Sequence, residues 1–582
     1  TEGLSALSEL GEVMLSDRLR QISVRPAPKL SVRATVKSNL LDVELGASGL
    51  SAADLAIYLD SYKRHQTFAR LTSGDIVRLD EGARAAFGLA EDLGVDAVDL
   101  LDGVSLPASS TLFVDSMLAR TPALEADRDA AFRRTVERLD TLGKMDFTVP
   151  ASLKATLRGY QIDGYQWLGS LEHLGLGGIL ADDMGLGKTL QMIAHILARV
   201  ESGDTKPTLV VCPASLVYNW TAELERFAPS LDVCAIVGAK AQRRVQIAGA
   251  AEHNVVVTSY DLMRRDIDEY AEQDFARVVL DEAQYIKNPL TQVARAAKRL
   301  PAGVRFALTG TPIENRLSEL WSIFDFLMPG LLGTRESFAK RFESPVEHAE
   351  GDSAARLQAL VSPFVLRRVK EDVVADLPEK IEDTVMAQLT GEQRKLYLAN
   401  QDRIAQQVQH REAGEFKKDK LKVLAELTKL RQICCDPHLH YEDYKSGSAK
   451  LDACMELVHG AIDGGHHILL FSQFTGMLDI IGKRLAKEDI GFLKLTGASS
   501  KESRAKMVAQ FQAREVPVFL ISLKAGGVGL NLTAADVVIH YDPWWNVAAQ
   551  DQATDRAHRI GQQHTVTVYK LIAKDTIEER IM

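Results

Sequence analysis

Two stretches of this 582-residue chain repeat one pattern, and that pattern limits the fold more than anything else in it. From about residue 151, short apolar runs alternate with helix-patterned segments: GGIL, then TLQMIAHILARV; TLVVCP, then SLVYNWTAELERF; then NVVVTSY, RVVLDEAQ and FALTGT. From about residue 466 the alternation resumes with HILLFSQ, FLKLTG, PVFLIS, DVVIHYD and TVTVYKLI. Near-continuous apolar strands are those buried on both faces, and parallel neighbours need a crossover, usually a helix. The pattern therefore predicts an α/β fold with two parallel sheets, each covered by helices on both faces. Residues 330–450, between them, are more charged and mostly helical in spacing.

Length allows three or four domains, at roughly 150 residues each. The expected divisions are 1–150, a smaller α+β region; 151–335, a first lobe; 336–450, helical insertions and a linker; and 451–582, a second lobe. Within 1–150, FARLTSGDIVRLD (68–80) reads as two short strands around a Ser-Gly-Asp turn. EADRDAAFRRTVERLD (125–140) has helical spacing. This region carries no catalytic constellation.

Composition excludes some classes. Hydrophobic residues make up 46% and charged residues 25%, ordinary for a globular protein. No run of about 18 apolar residues appears, so no membrane span is expected. The start, TEGLSALSELGEV, lacks a basic segment followed by an apolar one and does not read as a secretory signal. It also lacks an initiating Met, and the chain stops at Met582 after the helix-like DTIEERIM, so a piece of a longer protein is expected. A cytoplasmic location is expected. Five cysteines without paired C-x-x-C spacing predict buried reduced thiols rather than a disulfide framework or a zinc knuckle. The net charge of −10 divides into −6 over residues 1–150 and −4 over the remainder. The larger part is nearly neutral, which leaves room for a local basic groove.

The strongest local signal is ILADDMGLGKTLQ (179–191), an apolar strand that runs through a glycine-bearing turn into Lys-Thr and an amphipathic helix. Such a loop aims backbone N–H groups at phosphate oxygens, at the positive end of a helix. Asp183, Gly185 and Gly187 would shape the loop, Lys188 would contact the β- and γ-phosphates, and Thr189 would ligate Mg²⁺. In the general pattern G-x-x-x-x-G-K-[ST], Asp182 stands where the first glycine belongs. The second piece is RVVLDEAQ (277–284), in which Asp281 ends an apolar strand. A carboxylate there can hold Mg²⁺ through water, and Glu282 beside it can polarise an attacking water.

The order of these and further segments resembles the Swi/Snf-type ATPases of helicase superfamily two, a group that includes bacterial members. LRGYQIDGYQWL (157–168) resembles the adenine-reading glutamine motif, ADDMGLGKT the family's phosphate loop, LVVCPASLVYNW (209–220) motif Ia and VVVTSYDLM (255–263) motif Ib. DEAQ (281–284) sits where DEAH is usual, with Gln284 replacing His. LTGTPIENRLSELWSIFDFLMPGLLG (308–333) resembles motif III and its extension. VLRRVKEDVVADLPEK (365–380) resembles the connection leaving the first lobe, and LTKLRQICCDPHL (427–439) the helical element before the second. ILLFSQFTGMLDII (468–481) resembles motif IV, and LKLTGASSKESRAKMVAQF (493–511) the segment after it. Residues 520–562, LISLKAGGVGLNLTAADVVIHYDPWWNVAAQDQATDRAHRIGQ, resemble motifs V and VI joined. The resemblance covers about 157–582; that of residues 1–150 to the region preceding the motor in bacterial members is loose.

The resemblance implies two RecA-like lobes and a DNA-stimulated ATPase using ATP and Mg²⁺. Arg158 and Gln161 would read adenine, with Tyr160 beside them. Lys188, Asp281 and Glu282 would act on the phosphates, with Thr189 and Asp281 at the metal. Arg556 and Arg559, three apart in QATDRAHRIGQ and expected on one helical face, would be arginine fingers. Thr309, Gly310 and Thr311 would couple the γ-phosphate to lobe motion. Contacts to double-stranded DNA, mainly to its phosphates, would come from Ser259, Ser472, Gln473, Thr496, Gly497, Lys524, Gly526 and Asn531. Trp544 and Trp545 are expected to pack under motif VI, the other reading being minor-groove contact. The implied activity is double-stranded DNA translocation that remodels protein–DNA complexes. The alternatives are a strand-separating helicase and a nucleotide-gated factor acting on RNA polymerase or chromosomal proteins.

Overall fold

The computed structural model describes residues 24–37, 40–64, 66–141, 145–310, 316–343, 353–373, 378–409, 420–523, 530–545 and 547–581. It divides into two compact units. The first comprises Thr1–Ala181 and Thr189–Arg367, and the second Asp182–Lys188 and Arg368–Met582.

The first unit opens with β1 (Val24–Arg25), β2 (Leu30–Lys37), β3 (Leu40–Ala47), β4 (Phe68–Arg70), β5 (Ile76–Arg78), β6 (Val104–Pro107) and β7 (Leu124–Arg128). These form a four-stranded sheet of order β6-β3-β2-β7 and a three-stranded one of order β1-β5-β4. As expected of 68–80, β4 and β5 pair antiparallel. Segment 125–140 differs from expectation. Its first residues lie in β7, parallel to β2, and the helix is Ala130–Leu139. Asp129 divides them: its backbone is extended and its carboxylate accepts from Phe132 N at 2.6 Å. A helix start capped in this way leaves the preceding residues free to pair, and the sheet overrides local spacing.

A seven-stranded sheet follows, made of β8 (Gly178–Leu180), β9 (Thr208–Cys212), β10 (Val233–Ala235), β11 (Val255–Ser259), β12 (Arg277–Asp281), β13 (Val304–Leu308) and β14 (Val365–Leu366). Its order is β10-β11-β9-β12-β13-β8-β14, and every pair is parallel. All five residues of β9, β11 and β12 are buried, which accounts for their unbroken apolar runs. Arg277 is the exception. Its side chain is fully buried at the start of β12 and donates to Glu172 at 2.8 and 3.0 Å and to Thr208 Oγ1 at 2.9 Å, with Asp204 also in contact. A buried guanidinium persists only when its donors are met this fully. It fixes the end of β12 opposite Asp281.

The second unit carries a six-stranded parallel sheet of β15 (Lys380–Gln388), β16 (Ile468–Ser472), β17 (Phe492–Leu495), β18 (Val518–Ser522), β19 (Val537–His540) and β20 (Val566–Lys574). The order is β15-β20-β19-β16-β18-β17. Alternate residues feed two cores: Ile468, Leu470, Leu520 and Ile539 enter one, and Leu469, Phe471, Phe519 and Val538 the other. Successive side chains on a strand point to opposite faces, so both faces of this sheet are covered.

The expected α/β class with two parallel sheets and an α+β N-terminal region is what the structure has. The stretch 330–450 is less helical than its spacing suggests, because β14 and β15 lie within it and join the first and second sheets respectively. All five cysteines are free; Cys234 is half-buried, and Cys212, Cys434, Cys435 and Cys454 are buried, where desolvation pushes the thiols up. No helix among the described residues is long and apolar enough to cross a membrane.

Candidate nucleotide site

The phosphate loop runs from the buried β8 to the helix Lys188–Glu201. Gly185 and Gly187 have φ of +88° and +80°, values that L side chains rarely adopt, so these glycines are required by the turn. Lys188 Nζ donates to the carbonyls of Asp182 at 2.6 Å and Asp183 at 3.3 Å, which folds the lysine back over the loop. The Asp182 side chain is fully buried and makes a two-pronged pair with Arg368, one prong being Nε to Oδ1 at 2.8 Å. This pair explains how the position tolerates Asp: a charged partner from a distant segment replaces the room a glycine would leave.

Asp281 and Glu282 follow β12. Asp281 is 9% exposed, and its two oxygens are held separately, Oδ2 by Trp220 Nε1 at 2.8 Å and Oδ1 by Glu282 N at 3.0 Å. Its carbonyl accepts from Tyr260 O–H at 2.9 Å. Burial pushes the Tyr260 hydroxyl well up, with Asp281 adding to the effect, so it stays a donor. Tyr260 in turn stacks on Tyr285 at 4.9 Å. Glu282 has φ +53°, an uncommon conformation for a non-glycine residue and one that clusters at functional sites. Gln284 Nε2 donates to Glu282 Oε2 at 2.8 Å, and Gln284 Oε1 accepts from Thr309 Oγ1 at 3.0 Å. One amide therefore joins the DEAQ turn to the buried Thr309 beside Gly310; Thr311 lies outside the described residues.

Arg556 and Arg559 differ from expectation in one respect. The helix Val547–Thr554 ends before them, and they lie on the turn that follows. The Arg556 carbonyl accepts from Leu532 N at 3.0 Å, and that of Ala557 accepts from Gln562 Nε2 at 3.1 Å. Both carbonyls thus accept from groups outside a helical ladder. Within the second unit this turn meets the loop. A Cβ built on Gly185 would lie 2.8 Å from Arg559 Cβ, and Arg556 Nη2 is 3.8 Å from Met184 Sδ.

Residues 160–439 match the SNF2-related domain, 449–561 the helicase conserved C-terminal domain, and 1–150 the bacterial SNF2 helicase associated domain. The chain belongs to the SNF2-related family. Among curated relatives it is 40% identical to an uncharacterized ATP-dependent helicase of Mycoplasma pneumoniae, over 73% of this chain and 41% of that protein. It is also 40% identical to the putative ATP-dependent helicase/translocase YwqA of Bacillus subtilis, over 84% of this chain and 55% of that protein. The chain thus spans about half the length of the curated relatives it matches. Among solved structures, the Sulfolobus solfataricus SWI2/SNF2 ATPase core in complex with dsDNA is 38% identical over 75% of this chain and 92% of that one, with a TM-score of 0.42.

The other residues that the SNF2 resemblance singled out fall into three groups. Gln161 is buried, and its Oε1 accepts from Arg158 N at 3.0 Å, closing the start of the helix Gly159–His173; the Arg158 side chain is exposed. Ser259 and Ser472 are buried, and both hydroxyls make local caps, to Leu262 N and Phe474 N. Gln473 is half-buried under Arg431, while Thr496 is half-buried and Gly497 and Asn531 are exposed. Lys524 and Gly526 lie outside the described residues. Trp544 packs against the second-unit core as expected, whereas Trp545 is 50% exposed with the Arg431 guanidinium 5.4 Å from its ring. Sequence reasoning missed Trp220, Tyr260, Arg368 and Lys370. All four stood inside quoted motifs, but a hydrogen bond to a residue dozens of positions away leaves no local spacing signal.

Proposed function

We propose that this SNF2-related chain is the motor of an ATP-dependent double-stranded DNA translocase that remodels protein–DNA complexes. The observation that carries the reading is the approach of the Arg559 side chain to Gly185 of the lysine-bearing loop. Hydrolysis of a phosphoanhydride needs positioned charge more than covalent chemistry. Lys188 and the loop amides bind the phosphates. Glu282 orients a water, which attacks the γ-phosphorus as the bond to the bridging oxygen breaks and ADP leaves. Arg556 and Arg559 take up the charge that develops on the transferred group. Asp281 and the Thr189 hydroxyl are hard oxygen donors suited to Mg²⁺, an ion that keeps several waters and completes its shell with phosphate. When bound, Mg²⁺ supplies neutralisation of the phosphate oxygens. Arg158 and Gln161 recognise adenine. Gln284 links the state of Glu282 to Thr309, and so to Gly310 and Thr311.

Duplex DNA is held through its phosphates, with Thr496, Gly497 and Asn531 as exposed contacts together with Lys524 and Gly526. Ser259, Ser472 and Gln473 shape the same motifs from beneath. The test compares ATP turnover on duplex DNA, single-stranded DNA and RNA, alongside a gel assay for strand displacement. Strong stimulation by duplex without displacement is expected. Displacement of a paired strand would favour the strand-separating reading, and turnover indifferent to any nucleic acid would contradict the motor.

A further inference from the structure

The segment Arg368-Val369-Lys370 holds the phosphate loop at one end and the arginine turn at the other. On the loop side, Asp183 N donates to Arg368 O at 3.0 Å, and Lys370 N donates to Asp183 Oδ2 at 3.2 Å. The Arg368 side chain pairs with both oxygens of the fully buried Asp182 carboxylate. On the arginine side, Lys370 Nζ pairs with Asp555 and donates to His558 O at 2.8 Å. Asp555 immediately precedes Arg556, and His558 immediately precedes Arg559. The lysine stem passes Gly185, whose virtual Cβ would lie 3.7 Å from Lys370 Cε.

Lys370 is 8% exposed. Burying an ammonium costs several kcal/mol of hydration, so a pair like this adds little net stability over apolar side chains of the same volume. Its geometry is nevertheless strict, because the head must meet a carboxylate and a carbonyl together. Burial also pulls the Lys370 ammonium below the usual lysine range, with Asp555 opposing.

We infer that Arg368 and Lys370 are positioning residues for ATP turnover, Arg368 setting the shape of the loop and Lys370 setting the turn that carries Arg556 and Arg559 against it. This rests on the reading that loop and turn act on one nucleotide. Without Lys370, the loop still binds ATP, while the two arginines lose their fixed placement. The defect therefore falls on kcat. Without Arg368, the Asp182 carboxylate is left buried without its main partner, and nucleotide affinity falls as well.

The test uses the full chain and measures steady-state ATP turnover, binding of a fluorescent ATP analogue and thermal melting. Lys370→Met keeps the side-chain volume and is expected to melt close to wild type. Its kcat should fall at least about tenfold, with analogue affinity within about threefold. Asp555→Ala should show the same split, and the double variant should be little worse than Lys370→Met alone, since both remove the Lys370–Asp555 pair. Lys370→Arg, which keeps charge and donors, should recover part of the rate. An unchanged kcat in Lys370→Met, or additive losses in the double variant, would overturn the inference while leaving a working wild-type ATPase. A wild-type chain without turnover would instead overturn the functional reading, and this inference with it.

Discussion

Asp281 shows how much of the site rests on single side chains. Its oxygens are divided between Trp220 Nε1 and the Glu282 amide, which leaves the carboxylate one orientation. In the proposed function Asp281 is a ligand of Mg²⁺, and partners behind a metal ligand commonly change metal affinity tenfold or more when removed. Trp220→Phe keeps the ring but loses the N–H. It should raise the Mg²⁺ concentration for half-maximal turnover by about tenfold, read from an Mg²⁺ titration; an unchanged titration would show that the bond does not orient the ligand. His540 offers a test of stability. Fully buried and bonded to Thr554 Oγ1 at 2.8 Å, its imidazole is pulled down to about 3 by desolvation first and Lys570 second. The unfolded chain regains a value near about 6.5. Since the folded form binds the proton more weakly, its stability is fully present above the unfolded value and declines as pH falls towards 3. Urea unfolding at pH 7.5 and pH 5 should show this loss in the wild type and a smaller loss in His540→Gln.

At the scale of elements, the central strands were legible and the margins were not. β9, β11 and β12 announce themselves because both faces are buried and each centres on an unbroken apolar run, with polar residues only at the ends. The edge strand β15 is mostly exposed and leaves no continuous apolar run, while β10 and β14 are half-buried over only three and two residues, too short to stand out. The arginine turn was read as helix because i, i+3 spacing looks the same in both; carbonyls taken by Leu532 and Gln562 decide otherwise. Asp182 was visible as a departure from the general loop pattern, but its reason, Arg368, lies 186 residues away. Asp182→Gly consequently should not improve the loop by restoring that pattern. It removes the carboxylate that pairs with a mostly buried guanidinium, and breaking such a pair costs about 3–5 kcal/mol. Thermal melting and ATP-analogue binding should both show a loss; a variant that binds better than wild type would contradict this. Arg277→Met, which leaves Glu172 and Asp204 without their shared cation, should be similarly destabilising in urea unfolding, by about 3–5 kcal/mol.

For the molecule as a whole, a net charge of −10 is compatible with a DNA motor only if the duplex is gripped locally and through its phosphates. Duplex stimulation should therefore fall steeply with salt while turnover without DNA barely changes, since each phosphate contact releases counterions. A salt-insensitive stimulation would argue against phosphate contact. The family and the lobe fold were readable from ordered motifs, whereas the role of residues 1–150 was not, because that region holds no ordered series of motifs and matches only a bacterial SNF2 helicase associated domain. The account stands most directly on steady-state ATP hydrolysis with and without duplex DNA, in wild type, Lys188→Ala and Arg559→Ala. It predicts strong duplex stimulation in the wild type and loss of about a hundredfold or more in each variant. Wild-type rates retained by Arg559→Ala would contradict it.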